Sequence, residues 1–194
     1  MRAAGIALVI IVALALQTSL ARFLTPGGGL VDLVFVAVVF IALSSGPTAG
    51  MIAGAVAGLS QDALAASGAL NVAIGVDDVA RAVSTQSIIG IGSLAKTVVG
   101  FFAGIVGSQF IVARPLPRAL VFFTATVTHA IIFVGLYRVI DRGYTQATVG
   151  AILSQAGANA LVGVLVFQIA DFLPIFVDRR RSMGGGMRIN RRLD

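Results

Sequence analysis

Cysteine, tryptophan and glutamate are absent from these 194 residues, and the eight acidic residues are aspartates at positions 32, 62, 77, 78, 141, 171, 178 and 194. Without cysteine there are no disulfides and no thiolate chemistry, whether redox or metal-ligating. Charge is nearly as scarce: 11% of residues are charged, 58% are hydrophobic and the mean hydropathy is +1.00. A soluble surface carries roughly 25–35% charged residues, so this composition describes a membrane protein. The single histidine, His129, cannot build a zinc site without cysteines or carboxylates at ligand spacing, and there is no H-E-x-x-H. Ser93 with His129 suggests an intramembrane serine-protease pair, but Gly92-Ser93-Leu94 lacks the glycine such enzymes carry after the nucleophile. The glycine runs at 27–29 and 184–186 are not followed by the Lys-Ser/Thr of a phosphate loop and read as linkers. No catalytic residue, cofactor or metal is expected.

The charges that are present are positioned. Of the fourteen basic residues behind the net charge of +6, Arg179, Arg180, Arg181, Arg188, Arg191 and Arg192 follow the last apolar segment. They lack the interleaved aromatics and spread of a nucleic-acid footprint, so nucleic acid is excluded as a partner. They fit a cytoplasmic tail at 178–194 that anchors topology and touches anionic membrane lipids.

A spanning helix needs ~20 predominantly apolar residues. Six candidate spans fall at about 3–24, 30–45, 47–65, 92–113, 119–140 and 147–176, forming one membrane domain over 1–177. The turn at 25–29 ends the first, Ser44-Ser45-Gly46-Pro47 divides the second from the third as a tight hairpin, and Pro115 and Pro117 are expected to stop the fourth. The expected fold is therefore an all-α integral membrane protein of six transmembrane helices. With both termini cytoplasmic, nine arginines, including Arg2, Arg114 and Arg118, lie inside against four outside (Arg22, Arg81, Arg138, Arg142), as the positive-inside rule requires. The apolar start after Arg2 reads as an uncleaved first helix rather than a signal peptide, because five further spans follow. Between the third and fourth spans, Val72, Val76, Val79 and Val83 share one helical face opposite Asp77, Asp78 and Arg81, giving an expected outer amphipathic segment at about 70–85.

Two sets of residues stand out inside the spans. Gly46, Gly50, Gly54 and Gly58 recur every fourth residue on one helical edge, and Gly100 and Gly104 do the same in the fourth span. Such faces let another backbone approach closely, from within the bundle or from a partner helix. The second set is the intramembrane polar residues Gln61, Asp62, Lys96, His129, Asn159 and Asp171, each costly at membrane depth unless paired. Asp62 near the end of the third span and Lys96 near the start of the fourth are expected to pair, with Gln61 filling a leftover donor or acceptor. His129 is expected to bond Asn159 or Gln155, and Asp171 to meet Arg114 or Arg118.

Three motifs stand together in order: Gly50-x-x-x-Gly54-x-x-x-Gly58-Leu59-Ser60-Gln61-Asp62, the run Gly90-Ile91-Gly92-Ser93-Leu94-Ala95-Lys96 continuing to Gly100, and Pro115-Leu116-Pro117-Arg118 followed by Phe122-Phe123 and Thr128-His129-Ala130. Taken together they resemble the rod shape-determining protein MreD family. Leu16-Gln17-Thr18, Val31-Asp32-Leu33, the length and the six spans also match; the stretch from about 70 to 88 departs from the family pattern. The resemblance implies a non-catalytic scaffold of the bacterial inner membrane, multi-pass, acting in peptidoglycan synthesis and the regulation of cell shape. The implied partners are an MreC-like protein, a RodA-like glycosyltransferase with a class B penicillin-binding protein and, indirectly, the MreB filament. It also implies a fold similar to the substrate-binding component of energy-coupling-factor transporters, so the alternative function is a small-molecule, vitamin-like binding subunit with its cavity near Asp62 and Lys96. Two tyrosines and no tryptophan favour the scaffold, because small-molecule sites need several convergent polar or aromatic groups.

Overall fold

The computed structural model describes residues 3–24, 31–66, 89–109, 114–140 and 149–172. The described residues form six helices and no strand: α1 (Ala3–Leu24), α2 (Leu33–Ser45), α3 (Pro47–Ala66), α4 (Ile91–Gln109), α5 (Pro115–Ile140) and α6 (Val149–Phe172). Four of them, α3 to α6, are long and apolar enough to cross a membrane, which makes a multi-pass membrane protein. The amphipathic segment expected at 70–85 and the basic tail with Arg179, Arg180 and Arg181 lie outside the described residues.

The short helix α2 is the centre of the bundle. Its sequence, Leu-Val-Phe-Val-Ala-Val-Val-Phe-Ile-Ala-Leu-Ser-Ser, is apolar on every side, the pattern of a helix surrounded by others. Val34 to Ala42 are buried without interruption, and α2 touches all five other helices. Thirteen residues at 1.5 Å each extend ~20 Å, less than the ~30 Å of a hydrocarbon core. An α2 of this length begins inside the bundle, not at its edge.

At its other end α2 stops at Gly46, whose φ of +93° is a conformation that favours glycine. Its N–H bonds the Ala42 carbonyl at 2.9 Å, and Pro47 opens α3, where a missing N–H costs nothing. The same rule corrects the expectation for the prolines after α4. Pro115 and Pro117 do not precede the fifth helix; they form its first turn, so α5 starts at 115 instead of 119. Gly46 is likewise corrected: it makes the hairpin turn, and a Cβ added to it would meet nothing within 4 Å, so its missing side chain does not make room for a facing backbone as those of Gly50, Gly54 and Gly58 do.

Gly50, Gly54 and Gly58 do form a ladder, and it is internal. α3 runs antiparallel to α4 with backbones touching: a methyl at Gly50 would strike the Gly100 carbonyl, at Gly54 the Lys96 carbonyl, and at Gly58 the Cα of Ser93. Gly100 meets Gly50 in return, Gly104 meets Pro47, and Gly107 lies against Leu43 of α2. Small residues here replace the apolar driving force that lipid does not provide. α5 and α6 form a second close pair, with the Phe122 ring seated over Gly163.

Candidate functional site

Where α2 begins, its first backbone N–H groups have no intrahelical acceptor, and side chains of the N-cap, α1 and α6 supply acceptors. Asp32 is the N-cap: its Oδ1 accepts from Phe35 N at 2.9 Å. Leu33 N donates to Gln17 Oε1 of α1 at 2.7 Å, while Gln17 Nε2 returns a bond to the Val31 carbonyl at 3.3 Å. Asp32 N donates to Asn159 Oδ1 of α6 at 2.9 Å, and Asn159 Nδ2 donates to Thr126 Oγ1 of α5 at 3.3 Å. Thr126 passes its own proton to the Phe122 carbonyl at 2.8 Å.

The charge at this node is balanced by α4. Lys96 Nζ lies 3.3 Å from Asp32 Oδ2, with the lysine side chain 5% exposed and the aspartate 12%. The positive end of the α2 dipole also favours the carboxylate. Lys96 thus pairs with Asp32 and not with Asp62, and the register explains why. Gly92 and Ser93 are level with Asp62, whereas Lys96 lies about one turn further along α4, at the depth where α2 starts.

Asp62 serves α4 instead. Its Oδ2 accepts from Gly90 N at 2.8 Å and Ser93 N at 3.2 Å, capping the helix from a neighbouring one. Ser93 Oγ donates to the Ala55 carbonyl at 3.1 Å, adding a second tie between α3 and α4. The Gln61 Oε1 is buried without a hydrogen-bond partner among the described residues, so this oxygen does not take the supporting role expected of Gln61.

His129 also departs from expectation. Asn159 is occupied by Asp32 and Thr126, and the imidazole packs instead between rings, 4.8 Å from Phe35 and 5.9 Å from Phe133 by centroid. Its Nε2 is buried with no hydrogen-bond partner among the described residues. At the opposite end of the α5–α6 pair, Arg118 Nη1 sits 2.8 Å from Asp171 Oδ2, and the guanidinium lies over Phe167 at 4.5 Å. Of the two arginines expected to meet Asp171, Arg118 is therefore its partner, and it is a buried tie between two helices, whereas Arg114, one turn earlier, is exposed.

Of the candidate residues, the structure brings Lys96 and Asn159 together through Asp32, places His129 beside this node within electrostatic reach of Asp32 and Lys96, and leaves Asp62 and Asp171 in separate settings. Asp32, Gln17 and Thr126 complete the node without having stood out as site residues. A signal for Asp32 is present in the sequence, an aspartate immediately before an apolar run, which marks a helix start. Comparison with protein-family profiles, curated proteins and solved structures finds no match to this chain.

Proposed function

We propose that the chain is a non-catalytic membrane scaffold of the bacterial cell-elongation machinery, of the kind its motifs resemble in the MreD family. On this reading it crosses the inner membrane six times with both termini in the cytoplasm, as the arginine distribution favours. It binds an MreC-like partner, supports a RodA-like glycosyltransferase with its class B penicillin-binding protein, and connects indirectly to the MreB filament.

One observation carries the proposal: apart from Gln61 and His129, the polar residues singled out within the helices hold helices to one another. Asp32 faces Lys96 and Asn159, Asp62 caps α4, and Arg118 faces Asp171. A ligand-binding subunit would direct such groups at its ligand. The segments that carry the resemblance supply these ties, since Gln17, Asp32, Gly50 to Gly58, Asp62, Ser93, Lys96 and Arg118 all belong to them. The glycine ladder is occupied within the bundle, so a partner helix docks on another face.

The test is copurification of the tagged protein from its own membranes, with depletion in parallel. Stoichiometric recovery of a single-span MreC-like protein and cell-wall synthase subunits, with rounding of depleted cells, is the expected result. Recovery without them, together with thermal stabilisation by a vitamin-like ligand, refutes the scaffold and favours the transporter subunit.

A further inference from the structure

We infer that α5 and α6 move as one rigid pair against the other helices, and that the hydrogen bond from Asp32 N to Asn159 is the latch that holds the two parts in register. The inference rests on how differently the two sides of this boundary are joined. It is a property of the packing and holds whichever function the bundle performs.

On one side, α2, α3 and α4 are locked by backbone contact. The approaches of Gly50 to Gly100, Gly54 to Lys96, Gly58 to Ser93, Gly104 to Pro47 and Gly107 to Leu43 leave no room for a methyl group at any rung. Sliding α3 along α4 would drive Cβ atoms of the intervening residues into the facing backbone. The Asp62 cap and the Ser93 bond to Ala55 fix the same register, and Gln17 fastens α1 to the start of α2.

On the other side, α5 and α6 have their own locks. Arg118 is ion-paired to Asp171, Phe122 fills the space above Gly163, and Thr126 accepts from Asn159. These ties are spread along the pair from the Arg118 end to its middle, so α5 and α6 keep a common register.

Between the two units α4 also packs beside α5, and the ring contacts that α2 makes across the boundary are of another kind. Phe40 of α2 meets Phe167 of α6 edge-on at 4.7 Å, and Phe35 of α2 meets His129 of α5 at 4.8 Å in a tilted arrangement. Aromatic faces tolerate small lateral displacement because their attraction is broad in angle and offset. Packed helices slide on such surfaces in shear motions. The buried bond from Asp32 N to Asn159 Oδ1 does not tolerate it: displacement strands a helix N-terminal donor away from water. Asn159 is fully buried, and its other hand is on Thr126, so the α5–α6 pair is gripped through a residue tied to both its helices.

The absence of native cysteine allows spin labels to be placed without removing any residue of the structure. Labels at the exposed positions Met51 and Leu161 span the boundary, Met51 and Phe102 lie within the glycine-packed unit, and Leu120 and Leu161 lie within the α5–α6 pair. Distances are measured on the full chain in lipid nanodiscs. Asn159→Leu is expected to add a second population to the Met51–Leu161 distance, displaced by up to about one helical turn, ~5 Å, with the other two pairs unchanged. Thr126→Val removes the bond within the pair but keeps the latch, and is expected to leave all three distances single. A single unshifted Met51–Leu161 distance in Asn159→Leu overturns the inference. So does equal broadening of all three pairs, which would be general loosening, or an opening in Thr126→Val as large as that in Asn159→Leu.

Discussion

Separating Lys96 from Asp32 is the sharpest perturbation the bundle offers, because the two single substitutions are unequal in a direction the geometry dictates. Asp32→Asn keeps an N-cap, since asparagine caps as well as aspartate, but leaves Lys96 as an ammonium with no counter-charge at a side chain only 5% exposed. Removing one partner of a buried pair costs about 3–5 kcal/mol. Lys96→Met leaves the Asp32 carboxylate, which still accepts from Phe35 N and still sits at the positive end of α2. That end stabilises an anion by up to about 2 kcal/mol in partly buried settings. Lys96→Met should therefore cost less than Asp32→Asn, by up to about 2 kcal/mol. In the double variant no charge remains, an asparagine still caps α2, and an unbranched apolar chain fills the lysine path. The pair should then recover several kcal/mol relative to the sum of the singles.

The assay is reversible unfolding of the purified protein in mixed micelles by increasing dodecyl sulfate, followed by far-ultraviolet circular dichroism, with the four corners of the cycle in one experiment. Additivity of the two substitutions to within about 0.5 kcal/mol is what independent sites give, and that result would refute the pairing. Equal single effects would refute the argument from the helix dipole. Asp62→Asn with Lys96→Met serves as the reference, since Asp62 caps a different helix and should show no coupling to Lys96.

Gly54→Ala should destabilise by about 1–3 kcal/mol or more through overpacking, because its methyl would meet the Lys96 backbone, whereas Gly157→Ala, with nothing within 4 Å of the added carbon, should be neutral or stabilise by up to ~1 kcal/mol from helix propensity; the same sulfate titration reads both. Asp62→Ala should cost about 0.5–2 kcal/mol as a lost cap, and hydrogen exchange should rise at Gly90 and Ser93, whose N–H groups it accepts, before it rises elsewhere. Arg118→Lys should weaken the α5–α6 pair although charge is kept, because lysine cannot both lie flat over Phe167 and reach Asp171 as the guanidinium does; a thermal midpoint equal to that of the unsubstituted protein counts against this role.

The helices themselves were legible, because apolar length is written directly in sequence. α1 occupies the predicted 3–24, and α3 and α4 start within a residue of expectation. Boundaries failed where one residue type supports two readings: Pro115 can end a helix or open one, and only the neighbouring chain decides. The glycine faces were legible as close-packing surfaces but not as an internal seam, since the sequence does not say which helix lies opposite. The pairing of Asp171 with Arg118 was legible; that of Lys96 was not. Lys96 was visible as a costly charge, but choosing Asp32 over Asp62 requires knowing that α2 is short and starts deep in the bundle. That depth follows from a pattern which a search for spans overlooks. An all-round apolar run of only 13 residues belongs at the centre of a bundle, and its first residue then needs both a cap and a counter-charge.

A central helix that begins part-way through the bundle gives the polar residues a reason to be there. A membrane helix that starts at depth leaves backbone donors where water cannot reach them, each worth several kcal/mol if unmet. Gln17, Asp32 and Asn159 answer that cost from α1, the N-cap itself and α6, and Lys96 then follows as the balance for the carboxylate Asp32 brings. Four polar side chains are thus explained by one structural choice, the length of α2, with no ligand required. If α2 were extended by two turns, the cap would move away from Lys96 and Asn159, and both would become buried liabilities. Polar residues that depend on one another in this way are built to hold an arrangement of helices.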